Sequence, residues 1–109
     1  MNLLLPSVHP HTSEPVITDV GFSIELWTDW LVPADVLGSF ESAAADMAVD
    51  DRLVGRVTLR GRVTVERTVL WLSVTASGPG SADDSVWALA EDHFRLLWAQ
   101  VHQRAQTGR

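Results

Sequence analysis

Two consecutive segments in the middle of the chain alternate apolar and polar residues, which is the pattern of strands with one buried face. The segments are residues 53–65 and 69–76, separated only by residues 66–68. A connection this short joins neighbouring antiparallel strands, so the sequence predicts a hairpin. Gly55 and Gly61 suggest a bulge or a bend within its first strand. The inward positions are Leu53, Val57, Leu59, Val63 and Val65 on the first strand, and Leu70, Leu72, Val74 and Ala76 on the second.

Residues 16–27 alternate in the same way and predict a third strand. Its two faces differ in character, because one is apolar and the other carries acidic residues and a tryptophan. The predicted inward residues are Val16, Val20, Phe22, Ile24 and Leu26, and the opposite face includes Asp19, Ser23, Glu25 and Trp27.

The spacing of apolar residues predicts helices over residues 33–48 and 82–105. Pro33 suits the first helical position, and Ser81 followed by Asp84 is typical of a capping box. The apolar residues of the last helix cover roughly 200° of the helical wheel, whereas packing on one sheet needs a stripe of about 100°. The excess must meet the first helix, the N-terminal segment or another chain. The centre of this surface is Val86, Ala90, Phe94, Leu97 and Val101, with Trp87 and Trp98 on one edge and Leu89 and Leu96 on the other.

The element order strand, helix, strand, strand, helix predicts an α+β fold, a two-layer sandwich with both helices on one face of a three-stranded sheet. A right-handed crossover places the first strand parallel to one strand of the hairpin. In architecture alone, this arrangement is like a ferredoxin-type sandwich that lacks its last strand. Residues 1–15, with three prolines and no apolar period, are predicted to form an extended N-terminal arm, and residues 16–109 a single domain.

The charges of the chain are divided along its length. All eight basic residues are arginines after position 51, whereas nine of the fourteen acidic residues lie in the first 51 positions. Cross-strand pairing would neutralise these charges within the chain, while a site for a phosphate, a carboxylate or an acidic protein surface is the alternative. A pI near 4.9 disfavours nucleic acid as a partner. The residues predicted on the open side of the sheet are Arg52, Arg56, Arg60 and Arg62, with Asp19 and Glu25.

Little in the sequence indicates catalysis or a bound cofactor. The chain has no cysteine, which excludes thiolate metal sites, disulfides and cysteine nucleophiles. It contains no phosphate-binding loop, dinucleotide fingerprint or nucleophile elbow. The histidines are expected to be structural or solvated, with no metal and no cofactor. No apolar run approaches the roughly 20 residues of a membrane helix, and the start lacks a signal pattern, so we expect a cytoplasmic location or one within a cytoplasmically assembled particle.

Tryptophan marks the predicted interaction surface. Trp27 and Trp71 are both expected on the open face of the sheet, and tryptophan is highly enriched at binding hot spots. The sequence favours a non-catalytic protein interaction or assembly module that forms a homo-oligomer or docks on another protein, for example in a virion or other large assembly. A ferredoxin-like small-molecule-binding regulatory domain and a small enzyme with an arginine and acid site on the sheet are the alternatives. The candidate partner-binding residues are Trp27, Trp71, Arg56, Arg60, Arg62, Trp87, Trp98, Leu89, Leu96, Leu3, Leu4 and Leu5.

Overall fold

The computed structural model describes residues 10–12, 16–18 and 21–107. Within them, six strands form one antiparallel sheet, and two α-helices pack on one of its faces. The chain is therefore an α+β protein, as the sequence predicts. The elements are β1 (His11–Thr12), β2 (Val16–Thr18), β3 (Gly21–Leu31), α1 (Leu37–Asp46), β4 (Val49–Val54), β5 (Val57–Glu66), β6 (Val69–Gly78) and α2 (Asp84–Thr107), with a 3-10 turn at Ala34–Val36 before α1.

The strands are arranged in the order β1–β3–β6–β5–β4, and β2 also pairs with β3. Every pair of neighbours is antiparallel, so β3 runs antiparallel to β6 and parallel to β5, with β6 between them. The expected three-stranded sheet is wrong, because β1 and β2 extend it at one edge and β4 at the other.

The central hairpin of β5 and β6 is confirmed. The two strands pair from Thr58 opposite Ser77 to Glu66 opposite Val69. Arg67, at a φ of 58°, lies in the turn. The inward positions are buried as predicted at Leu59, Val63, Leu70, Leu72, Val74 and Ala76.

β4 is the largest departure from the prediction. Residues 49–52 were expected to follow the end of a helix, and residue 53 to begin the next strand. Instead Val49–Val54 forms a separate edge strand, and Gly55, with a φ of 61°, lies in the turn to β5. Glycine adopts this left-handed backbone without a steric penalty. Because β4 is at the edge and mostly exposed, its sequence shows no alternation of buried and exposed positions.

Residues 16–27 do not form one strand. β2 pairs with β3 so that Val16 lies opposite Ser23. Val16 therefore shares the face of Ser23 and not that of Phe22, contrary to the prediction. The period of two gives side-chain alternation along a strand, but it does not show where the chain reverses and a new strand begins.

The described part of the predicted arm lies against β3. His11 is opposite Trp27, and Thr12 is opposite Leu26. The rings of His11 and Trp27 are 4.4 Å apart between centroids. The rest of the predicted arm, residues 1–9 and 13–15, lies outside the described residues, and it includes the candidate residues Leu3, Leu4 and Leu5.

α2 packs its predicted apolar centre against the sheet, and α1 packs beside it. The helix begins at Asp84, two residues later than predicted. Asp83 caps it, since its Oδ1 atom accepts a hydrogen bond from the backbone N–H of Val86 at 3.2 Å. A cap at Asp83 takes the place of the expected capping box that starts at Ser81. The buried centre is Val86, Ala90, Phe94, Leu97 and Val101, as predicted.

Candidate functional site

The side of the sheet turned away from the helices, here called the open face, carries rows of side chains fixed by the strand register. Directly paired residues project to the same side of a sheet, so each row crosses several strands. Trp27, Trp71, Arg60 and Arg62 lie on adjoining rows, as the sequence predicts for this face. The three central rows are Asp29–Trp71–Thr64, then Trp27–Ser73–Arg62–Val49, then Glu25–Thr75–Arg60–Asp51.

Much of the exposed apolar surface of the described residues is on the open face. Eight large hydrophobic residues are exposed in the described part of the chain, and five of them lie on the open face. Trp71 is the bulkiest of them and is 41% exposed. They are spread across the face from β2 to β4, with Leu31 and Trp71 near one end of the central strands. The five residues are Val16, Leu31, Val49, Leu53 and Trp71.

Arg60 makes a two-pronged ion pair with Asp51 on the neighbouring strand. Its Nε atom donates to Asp51 Oδ1 at 2.9 Å, and its Nη2 atom donates to Oδ2 at 3.1 Å. The hydrogen bond from Arg60 lowers the pKa of Asp51, and the same contact raises the pKa of Arg60. Both side chains are about half exposed. The pair therefore joins an acidic residue of the first 51 positions, which contain no Lys or Arg, to an arginine of the remaining chain. The acidic residue lies on β4 and not on the first predicted strand.

Arg62 has a different environment from Arg60. Among the described residues it makes no ion pair within 4.0 Å and no hydrogen bond through its side chain. It borders a shallow cavity of about 480 Å³ together with Trp27 and Trp71. A guanidinium beside two indoles can bind a carboxylate or phosphate, or stack on an aromatic ring.

The expectation that four arginines share the open face is wrong for two of them. Arg52 lies opposite Leu59, whose side chain is buried toward the helices. Arg56 lies in the turn between β4 and β5. The prediction assumed one continuous strand from residue 53. The turn at Gly55 divides that segment into β4 and β5, so Arg52 and Arg56 do not follow the alternation of β5.

The candidate residues of α2 divide into buried and accessible positions. Trp98 is only 5% exposed, because Trp30 and His102 pack around its ring at 5.8 Å and 4.4 Å between centroids. Its burial by its own chain leaves little of it for a partner. Trp87 and Leu89 are half-buried, and Leu96 is 37% exposed. Packing within the chain, including the contact of α2 with α1, accounts for part of the wide apolar arc.

Two histidines of α2, His93 and His102, are buried, and their burial was not predicted from the sequence. Both are 3% exposed. The available signal was their spacing, because His93 lies four residues from Leu89 and Leu97, and His102 lies four residues from Trp98. Residues four apart share a helix face, so apolar neighbours at that spacing indicate a buried position.

His93 contacts the sheet at Asp50. Its Nε2 atom is 3.1 Å from Asp50 Oδ2, but without hydrogen-bond geometry, and its Nδ1 atom has no partner. Burial lowers the pKa of His93, and this effect outweighs the opposing attraction of Asp50. The neutral imidazole is therefore the favoured form.

His102 lies in an aromatic cluster formed by Trp30, Phe40 and Trp98. Its Nδ1 atom is 2.9 Å from the carbonyl oxygen of Trp98, and since a carbonyl only accepts, Nδ1 carries the proton. Its Nε2 atom is buried without a hydrogen-bond partner. Burial lowers the pKa of His102. Burial therefore favours the neutral form of both imidazoles in the folded chain.

Comparisons with known proteins identify no relative. No family model, no curated protein and no solved structure matches the chain significantly. Over residues 10–12, 16–18 and 21–107, no helix is both long enough and apolar enough to cross a membrane. The same residues contain no group of three or more side chains placed to hold a metal ion.

Proposed function

We propose that this chain is a non-catalytic assembly module that associates with a second copy of itself through the open face. The observation that carries the proposal is that five of the eight exposed large hydrophobic residues of the described chain lie there, with Trp71 on the central strand β6. An antiparallel sheet that packs helices on one face can leave the other face in water, but the solvated face is then expected to be mainly polar. The apolar side chains of this face favour a covering layer.

The composition of the face supports a protein as the covering layer. Trp27, Trp71 and Arg62 belong to the residue types enriched at interface hot spots. Polar residues such as Thr64 and Ser73 lie among them, so the face combines apolar anchors with groups that remain compatible with water. This mixture is typical of interfaces whose subunits are also stable alone. Such a module could serve as a subunit of a larger assembly.

Light scattering on the purified full-length chain at tens of micromolar tests the proposal. We expect a dimer or a higher oligomer, and we expect Trp71→Ala to shift the population toward the monomer while the circular dichroism spectrum stays the same. Leu96→Ala is the matched control, because Leu96 is similarly exposed but lies on the helical layer.

The outcomes separate the possible surfaces. A wild-type chain that is monomeric throughout this concentration range would overturn self-association. Dissociation by Leu96→Ala, with no effect of Trp71→Ala, would move the interface from the open face to α2. Unfolding of the monomer by Trp71→Ala would instead show that Trp71 stabilises the fold itself.

A second candidate function is a small-molecule-binding regulatory domain. The cavity of about 480 Å³ bordered by Trp27, Trp71 and Arg62 favours it, because an arginine near indoles suits an anionic aromatic ligand. The succession β3, α1, β5, β6 and α2 supports a ferredoxin-like core without its last strand, with β1, β2 and β4 as additions. An increase in melting temperature with aromatic carboxylates, lost in Arg62→Ala, would support this function.

A further inference from the structure

We propose that two copies pack open face to open face about a two-fold axis that runs along β6. This inference rests on the proposed function and specifies its geometry. In this arrangement β3 of each copy lies over β5 of the other. Glu25 of one copy then meets Arg60 of the other, and Trp27 meets Arg62.

The strand register supplies the first argument. β6 lies between β3 and β5, so half a turn about β6 exchanges these two strands across the interface and preserves the rows. Glu25 and Arg60 are both opposite Thr75 and therefore share a row. Trp27 and Arg62 share the next row in the same way. Opposite charges face each other in this dimer, and a guanidinium faces an indole.

The arginines have the hydrogen-bonding capacity that these contacts require. A guanidinium has five N–H donors, and the ion pair with Asp51 occupies only Nε and Nη2 of Arg60. Its Nη1 donors remain for the carboxylate of Glu25 in the second copy. Arg62 has no ion pair among the described residues, so stacking on Trp27 would not require breaking one.

Two other placements of the axis bring like charges together. An axis perpendicular to the strands through the row of Trp27 would place Glu25 over Asp29 of the second copy, since these residues lie two positions to either side of Trp27 on β3. An axis parallel to the strands but between β5 and β6 would place Glu25 over Asp51. Repulsion of like charges suppresses such arrangements. The axis along β6 avoids both contacts.

The open face is close in size to one side of a standard protein interface. Strands of ten residues, as in β5 and β6, span about 33 Å, and five strands about 19 Å. The resulting plane of roughly 600 Å², before the relief of side chains is added, approaches the roughly 800 Å² that each partner contributes to a standard interface. Trp71, on β6, would lie at the axis against Trp71 of the second copy.

Charge reversal tests the geometry, with Glu25→Arg and Arg60→Glu made as separate variants of the full chain. Each variant alone brings like charges together at both symmetric contacts, so we expect its dimer dissociation constant to rise at least about tenfold. An equimolar mixture restores both contacts, because the two introduced side chains face each other at one contact and the native Glu25 and Arg60 at the other. Sedimentation of the mixture should therefore show a heterodimer of near wild-type affinity. Glu41→Arg, the same charge change at an exposed position of α1, should have no effect.

The results distinguish failure of the geometry from failure of the function. A monomeric wild type overturns both. A wild-type dimer with no recovery in the mixture overturns the axis along β6 and leaves self-association standing. Tighter dimerisation of Glu25→Arg alone would also overturn it, because that result favours the perpendicular axis with Asp29 opposite the new arginine. Recovery only in the mixture supports the proposal, since a folding defect of either variant would not be repaired by mixing.

Discussion

The side chain of Leu97 on α2 lies where a Cβ atom of residue 61 on β5 would project. Gly61 thus lets the helix pack closely on the centre of the sheet. Leu97 is 1% exposed, so it has little space to move aside. We expect Gly61→Ala to lower the free energy of unfolding by about 1–3 kcal/mol, as overpacking of a core does. Urea denaturation measures the change.

Two further variants check this explanation. Gly38→Ala on α1 meets nothing within 4 Å, and we expect it to stabilise the helix by roughly 0.5–1 kcal/mol. In a Leu97→Ala background, Gly61→Ala should cost much less than in the wild type, because the obstructing methyl group is gone. Equal costs in the two backgrounds would show that Leu97 is not the cause.

Stability should fall in mildly acidic solution because of His93 and His102. Burial lowers both pKa values from the usual 6.5, so below that pH the unfolded chain binds more protons than the folded one. The stabilisation is present above pH 6.5 and is lost as the pH falls toward the folded pKa values. In this window each histidine contributes up to about 1.4 kcal/mol per pH unit. Denaturation at a series of pH values measures the slope.

Replacement of His102 separates its share of the pH effect. His102→Leu removes the buried titratable group and its unpartnered Nε2 atom. We expect a shallower dependence of the unfolding free energy on pH as the pH falls below about 6.5, whatever the change in stability at about pH 8. An unchanged slope would mean that His102 does not titrate differently in the folded and unfolded states. His93→Leu should reduce the slope by a separate amount.

Asp83 should stabilise α2 more than its neighbour Asp84. Its Oδ1 atom accepts hydrogen bonds from the Ser85 hydroxyl and from the Val86 N–H group, and these bonds lower the pKa of Asp83. We expect Asp83→Ala to decrease the melting temperature, because the Val86 N–H group loses its side-chain acceptor and keeps only its bond to the backbone carbonyl of residue 83. Asp84→Ala keeps that cap and is the control. The difference should shrink as the pH falls from about 3.8 toward the lowered pKa of Asp83.

Trp98 should matter for folding and Trp71 for association. Trp98 is buried against Trp30 and His102, so Trp98→Ala should lower the free energy of unfolding by about 3–5 kcal/mol. Trp71, which is 41% exposed, should tolerate alanine in the monomer. Thermal unfolding at low protein concentration compares the two variants. A similar loss in both would contradict the assignment of Trp71 to an accessible surface.

The sequence predicted those elements whose two sides have different environments. β5 and β6 lie between other strands and beneath the helices, so Leu59, Val63, Leu72 and Val74 had to alternate with polar residues. β4 lies at an edge and is largely exposed on both sides, so its sequence shows no such pattern. Alternation of apolar and polar residues arises only where one face of a strand is buried, and an exposed edge strand has no strongly buried face.

The candidate site was predicted in part for the same reason. Arg60, Arg62 and Trp71 follow the alternation of buried strands, and their position on the open face could be read from the sequence. Arg52 and Arg56 could not be placed, because the turn at Gly55 interrupts the strand. The contact of Asp51 with Arg60 joins two strands whose pairing depends on that turn, so no local pattern indicates it.

The exposed strand β4 has a consequence for the size of any assembly. Its sequence places Asp50, Asp51 and Arg52 in succession, and charges along an edge discourage further strands from adding there. Addition at an edge creates a new edge each time and continues into a fibre. In the proposed dimer each copy uses its one open face, so no further copy can add in the same way, and a two-fold contact is closed. The charged edge would thus favour particles of defined number over open-ended polymers.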